Sequence, residues 1–418
     1  MAIEFEKQSL ARPEGEAIKR RAFSFFTAAF CLICCFATSA TSIPMMAYWT
    51  EALGLTSAET AMTVVNYFGG CVLTLLLFAR FSNLLGRKPV VIMALICGIG
   101  ACYLFSTALT ASDINLGRFL QGLCCGLATS ASMAWVVDTA PREKAWLGTA
   151  MTAAGPNIGL SLGTLLTGLI IEYDVLNPAH LFEACIGLLL IGIVCSVFST
   201  ETMRFGTENL GQVIIPKIAL PARLVRLFFV GVSAYIGTWG VSSFFQGFSG
   251  QFALIVFGES SVLLAAITYL LLIIAIAVCS LLSGRFNPIK TTFVMITAFL
   301  VGTAGVFINL NLQNQWLFIA SVVVAGAAMG GTWCAVLKFL LMDATLKERA
   351  GLISALYLGA YVGSSIPNFS VGQLAKNATM ADISCGFGVW ITITWVIVVL
   401  ALLFIRKAPS EAEAKRFN

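Results

Sequence analysis

The chain has 418 residues, of which 59% are hydrophobic and only 11% charged, with a formal net charge of +5. A soluble domain carries about 25% charged residues, and no water-soluble interior could take up this much apolar side chain, so a soluble globular protein is excluded. The thirteen cysteines do not form a secreted-type disulfide framework, because all but Cys385 fall within apolar stretches. Cys31-x-x-Cys34-Cys35 lies on one apolar stretch without a histidine nearby and reads as small packing residues rather than a metal or redox motif.

Residues 1–22 are polar and charged, and Lys19, Arg20 and Arg21 directly precede the first apolar stretch. That stretch is too long for a signal-peptide core and is expected to stay as a membrane helix. Twelve spans follow in order: 23–49, 59–84, 88–111, 114–138, 145–172, 179–200, 224–250, 260–284, 289–311, 315–341, 348–374 and 384–405. Helices are expected throughout, because lipid tolerates only helices and closed barrels, and the period-two alternation of barrel strands is missing. The expected organisation is an N-terminal tail (1–22), a six-helix bundle (23–200), a linker (201–223), a second six-helix bundle (224–405) and a C-terminal tail (406–418).

The two halves repeat at an offset of 205 residues. Leu77-Phe-Ala-Arg-Phe81 aligns with Leu282-Ser-Gly-Arg-Phe286, and Asp138-Thr-Ala-Pro-Arg-Glu-Lys-Ala145 with Asp343-Ala-Thr-Leu-Lys-Glu-Arg-Ala350. Gly126 meets Gly331 at the same spacing. A parallel repeat in so apolar a chain points to a transporter built from two halves. When the connections are assigned alternately to two sides, 23 of the 25 Lys and Arg residues fall on the side of the termini, leaving Arg118 and Lys376 opposite. The positive-inside rule then puts both termini in the cytoplasm.

The connection after the second span contains Asn83, Gly86, Arg87 and Lys88. It resembles the G-x-x-x-D-R-x-G-R-R signature of the major facilitator superfamily, with Ala79 and Asn83 departing from the pattern. The resemblance implies a twelve-helix, all-α integral membrane fold in two six-helix bundles. It also implies a conformational latch at these residues, together with Asp138 and Asp343. The plain alternative is that Arg87 and Lys88 are anchors on the positive side. Leu116-Gly-Arg118-Phe-Leu-Gln121-Gly122 resembles the family's R-F-x-Q-G pattern of proton-coupled members. That implies a coupling role for Arg118, against snorkelling to the outer interface. Gly155-Pro156-Asn157-Ile158-Gly159 resembles the G-P-x-x-G signature of the drug:proton antiporter branch. The proline bends the helix, and the glycines at 155, 159 and 163 offer a seam for close packing.

In this family, helices 1, 4, 7 and 10 line the cavity. The resemblance therefore nominates Ser39, Met133, Trp135, Tyr235, Trp239, Gln246 and Trp333 as substrate-binding residues, with Asn157 and Tyr361 from neighbouring helices. Aromatic rings with few fixed charges suit an amphipathic or hydrophobic solute. Deep carboxylates are nearly absent; Glu183, flanked by Phe182, Ala184, Cys185 and Ile186, is the best placed for burial and for coupling if Arg118 comes close to it, and Glu259 at the start of helix 8 is the next candidate. Lys338 either binds an anionic substrate or snorkels. The leading expectation is a monomeric, proton-exchanging exporter of the inner membrane. It needs a small-molecule substrate and a lipid bilayer, with no cofactor, no metal and no nucleic acid. The alternatives are an importer or facilitator of a small solute such as a carboxylate and, more remotely, a receptor or scaffold. No P-loop or nucleophile–base set indicates an enzyme.

Overall fold

A computed structural model describes residues 2–78, 84–141, 143, 146–203, 220–342, 346–374 and 378–407. The candidate latch residues Asn83 and Asp343 lie outside the described residues. Those described are helical and contain no strand. Among the described residues twelve long helices run in order: α1 Ala2–Leu53, α2 Ser57–Leu73, α3 Arg87–Ser106, α4 from Ala111 to Thr139, α5 Trp146–Glu172, α6 Pro178–Phe198, α7 Val225–Phe257, α8 Val262–Ser283, α9 Pro288–Leu312, α10 Gln315–Met342, α11 Leu346–Leu374 and α12 Met380–Lys407. Among the described residues, eleven helical stretches are long and apolar enough to cross a membrane. The all-α, multi-pass architecture is the one expected from the sequence.

The helices begin where the chain supplies caps. Thr56 and Glu59 bond reciprocally to each other's backbone N–H at the start of α2. Thr110 with Asp113 and Thr379 with Asp382 repeat the arrangement at α4 and α12. Asn177 caps α6, Ser261 α8 and Asn287 α9 through a side-chain oxygen. Each such bond satisfies a donor that a helix leaves open in its first turn. Two π-helical turns interrupt the regular pattern, Thr74–Phe78 after α2 and Ala128–Ser132 within α4.

The chain groups into two compact units, Met1–Ser42 with Gly69–Pro216, and Ile43–Phe68 with Lys217–Asn418. In the first unit α3 packs on α4 and α6. The expected α5 seam is present in that unit. A Cβ on Gly159 would sit 2.5 Å from Ile33 O and 2.8 Å from Phe36 Cβ, and one on Gly163 would strike the Ala37 backbone. The seam therefore brings α5 onto the α1 backbone. In the second unit α10 packs on α8 and α9, and α7 on α11 and α12.

Candidate functional site

Phe68, Tyr235, Trp239, Trp333, Tyr357 and Tyr361 gather in the second unit. Tyr235 and Trp239 lie one turn apart on α7, Trp333 comes from α10, and Tyr357 and Tyr361 lie one turn apart on α11. Trp239 is the centre. Its ring centroid is 4.7 Å from that of Tyr361, 5.5 Å from Tyr357, 5.6 Å from Trp333 and 6.2 Å from Tyr235. Phe68 closes one side, 5.3 Å from Tyr361 and 6.5 Å from Trp239. Tilted and edge-on contacts at these separations are the favourable ones for rings. The Tyr235 hydroxyl donates to Trp333 O (3.2 Å), and Trp333 Nε1 donates to Thr238 Oγ1 (2.8 Å). Trp239 Nε1 is buried and has no acceptor.

The first unit holds a buried polar group around Arg118, which is 1% exposed and the one formally charged side chain among the described buried residues. Arg118 Nη1 donates to Ser42 Oγ (2.9 Å) and Gln121 Oε1 (3.0 Å). Gln121 Nε2 donates to Thr38 O, and Ser42 Oγ is within 2.9 Å of Ser39 O and 3.0 Å of Gln121 Oε1. Snorkelling is thereby corrected, because the guanidinium turns inward to a prepared network. Ser39 itself is buried beside it.

Glu183 is elsewhere. Its side chain is 60% exposed and pairs with His180 at 4.0 Å, an i,i+3 contact on the first turns of α6. The expected burial and the expected pairing with Arg118 are both corrected. Apolar neighbours in sequence occupy other faces of a helix and do not enclose the residue between them. Lys338 Nζ donates to Gly284 O (2.8 Å) and Phe286 O (3.0 Å) at the end of α8, so its donors are engaged by carbonyls.

A third group surrounds the start of α3. Glu201 accepts from the Arg87 and Lys88 backbone N–H groups, both at 2.9 Å. Arg87 Nε meets Asp138 Oδ2 at 3.1 Å, and Lys88 Nζ donates to Val197 O and Ser199 O. Arg21 donates to Asp138 O and Ala140 O. A carboxylate on open helix N–H groups is favoured by both hydrogen bonding and the helix dipole. Gly86, Arg87, Lys88 and Asp138 are thus joined within one unit. Glu201, the residue holding them together, escaped the sequence reading because it sits in a charged linker with no periodicity. Trp135 is fully buried with its N–H spent on Thr200 O (3.2 Å), which sets it apart from the aromatic group. Met133, Asn157 and Gln246 are half-buried on α4, α5 and α7, Gly155 packs on Leu32, and Pro156 lies inside α5.

A family model described as Major Facilitator Superfamily matches residues 28–368. The chain belongs to the Major Facilitator Superfamily. An uncharacterized transporter of Rickettsia felis is 24% identical over 182 residues, covering 40% of this chain and 43% of that protein. The high-affinity nitrate transporter 2.3 of Oryza sativa subsp. japonica is 25% identical over 211 residues, 50% of this chain and 39% of that one. The matched stretch thus spans less than half the length of these curated relatives. Among solved structures, the nucleoside transporter NupG superposes with a TM-score of 0.69 at 13% identity, covering 92% of this chain and 99% of its own. A bacterial homolog of the human lysosomal transporter Spinster, inward-facing and unoccupied, gives 0.66 at 13% identity over 92% and 96% of the two chains. At such identities the likeness is one of fold.

Proposed function

We propose that this superfamily member is a secondary active transporter working by alternating access. In this reading it exports a small amphipathic or hydrophobic organic solute in exchange for protons, across the inner membrane, with both termini in the cytoplasm. The carrying observation is the ring group centred on Trp239, in a unit whose described buried residues include no charged side chain. Such a surface gains from apolar, planar matter and offers a fixed ion nothing but ring faces. The proton part of the reading is supported by the R-F-x-Q-G and G-P-x-x-G patterns and by the buried Arg118 network. The test is accumulation of a solute panel in proteoliposomes under an imposed pH gradient. Gradient-driven movement of neutral or cationic amphipathic solutes, reduced at least about 10-fold by Trp239→Ala, is expected. Movement of small anions alone overturns it.

A second reading has its own observation. Arg118 is a buried cation, and a nitrate transporter is among the similar sequences. On that reading the chain imports a small anion, and Arg118→Gln abolishes uptake while Trp239→Ala leaves it intact.

A further inference from the structure

Three polar atoms without partners border one short stretch of α7, from Trp239 to Ser243. Trp239 Nε1 is the first. Trp390 Nε1 of α12 is the second, and it lies where a Cβ on Gly240 would meet it at 3.2 Å. Asn368 Oδ1 of α11 is the third, and the amide nitrogen of the same side chain donates to Ser243 Oγ at 2.7 Å. Buried polar groups in folded proteins are nearly always satisfied, so the unpartnered indole N–H of Trp239 inside the ring group marks a donor open to an acceptor.

The other donors of the ring group are already used. Tyr235 gives its proton to Trp333 O and Trp333 gives its own to Thr238. Of these three, the Trp239 N–H alone is left to be given away. No charged side chain is buried among the described residues of this unit, so a fully charged group brought here would lose its hydration without a counter-ion. An aliphatic solute would leave the indole N–H as orphaned as before.

We infer that Trp239 is a specificity-determining donor for a neutral, planar solute moiety bearing a hydrogen-bond acceptor, such as a ring carbonyl or ring nitrogen. The inference rests on the proposed transport function and narrows its substrate class. The planar part stacks among Tyr357, Tyr361 and Trp333, and the acceptor takes the Trp239 proton. In this structure the rings close on each other, so a solute enters by parting them.

The experiment uses the full chain with 15N-labelled tryptophan in lipid nanodiscs, and the probes are 9-fluorenone and fluorene, which differ by the carbonyl oxygen. The Trp239 Nε1–H resonance is assigned by its absence in Trp239→Phe. Expected is a saturable shift of that resonance with fluorenone and none with fluorene. Fluorenone should bind roughly 3–10-fold more tightly, as one hydrogen bond allows, and Trp239→Phe should bring the two probes within about 2-fold of each other. Equal binding by the wild type, or a preference surviving in Trp239→Phe, overturns the inference. If Trp239→Phe does not fold, assignment by Trp390→Phe and the remaining single tryptophan variants leaves the wild-type shift decisive. An immobile Trp239 resonance then overturns it, which is also the result expected if water fills the site. Accumulation of other solutes with no such shift sinks the inference and leaves the transport function standing. The shift without transport of any solute does the reverse.

Discussion

Gly86 has φ +97°, and a Cβ there would stand 2.7 Å from Glu201 Oε2. Both the backbone and the carboxylate therefore require glycine at this position. Gly86→Ala should lower stability by about 1–3 kcal/mol, read as a drop in the thermal midpoint of the purified chain. Glu201→Ala should cost about 1–2 kcal/mol, because two N–H groups of α3 lose their acceptor. A midpoint unchanged in Glu201→Ala would show that water replaces the carboxylate without loss. Glu183 makes the opposite case. It is exposed beside His180, so Glu183→Gln should keep the pH-gradient dependence of transport to within about 2-fold, as surface polar changes usually do. Loss of that dependence would return Glu183 to the coupling machinery. Arg118, Gln121 and the four rings Tyr235, Trp239, Trp333 and Tyr361 were legible from the sequence, because polar and aromatic residues are conspicuous in an apolar helix. Phe68 and Thr238 were not, since a phenylalanine or a threonine in a membrane helix is ordinary until its neighbours are known.

Helix ends were legible where a cap or a left-handed glycine marks them and obscure where glycine serves packing. The expected end of α7 at residue 250 fell short, and the helix continues to Phe257. There Gly258, at φ +79°, donates its N–H to the Leu254 carbonyl and ends it. Gly250 is no terminator. A Cβ on it would come within 2.7 Å of Ala47 Cβ, so it is small for the sake of α1. The π-helical turns were invisible because a single inserted residue leaves no periodic signature over a few positions. The α5 seam yields the prediction for this level. Gly159→Leu must push α5 off the Ile33–Ala37 backbone, an overpacking that costs about 1–3 kcal/mol or more, and is expected to abolish transport with membrane insertion intact. Gly187, with nothing within 4 Å of a built Cβ, is the control, and Gly187→Ala should transport like wild type. Equal activity of the two variants would remove the seam from the mechanism.

If the twelve spans alternate, Lys and Arg fall mostly in the connections on one side and the positive-inside rule sets the orientation, while the number of crossings sets where each connection emerges. The two arguments meet at α11. Polar residues recur along this helix, and they have interior work. Ser364 and Asn368 are buried, Asn368 bonds Ser243 of α7, and Tyr357 and Tyr361 face Trp239. A helix that turns its polar side to α7 can cross lipid with a lower mean hydropathy than its neighbours, because those groups never meet the bilayer. Glu51 lies in the last turn of α1 and Asp382 in the first turn of α12, and both are exposed. If α11 crosses, the two lie on the same outer side, and Glu143 and Arg285 lie on the inner one. If α11 stays on one face, Asp382 and everything after it changes sides while Glu51 does not. Cys385 is the one exposed cysteine, so a Cys385→Ser background leaves only buried and half-buried thiols, and its own labelling is the baseline. In that background, Glu51→Cys and Asp382→Cys should react with a membrane-impermeant maleimide added outside intact cells, and Glu143→Cys and Arg285→Cys should react only after permeabilisation. Labelling of Glu51→Cys without Asp382→Cys would leave eleven crossings, and labelling of Glu143→Cys from outside would invert the orientation.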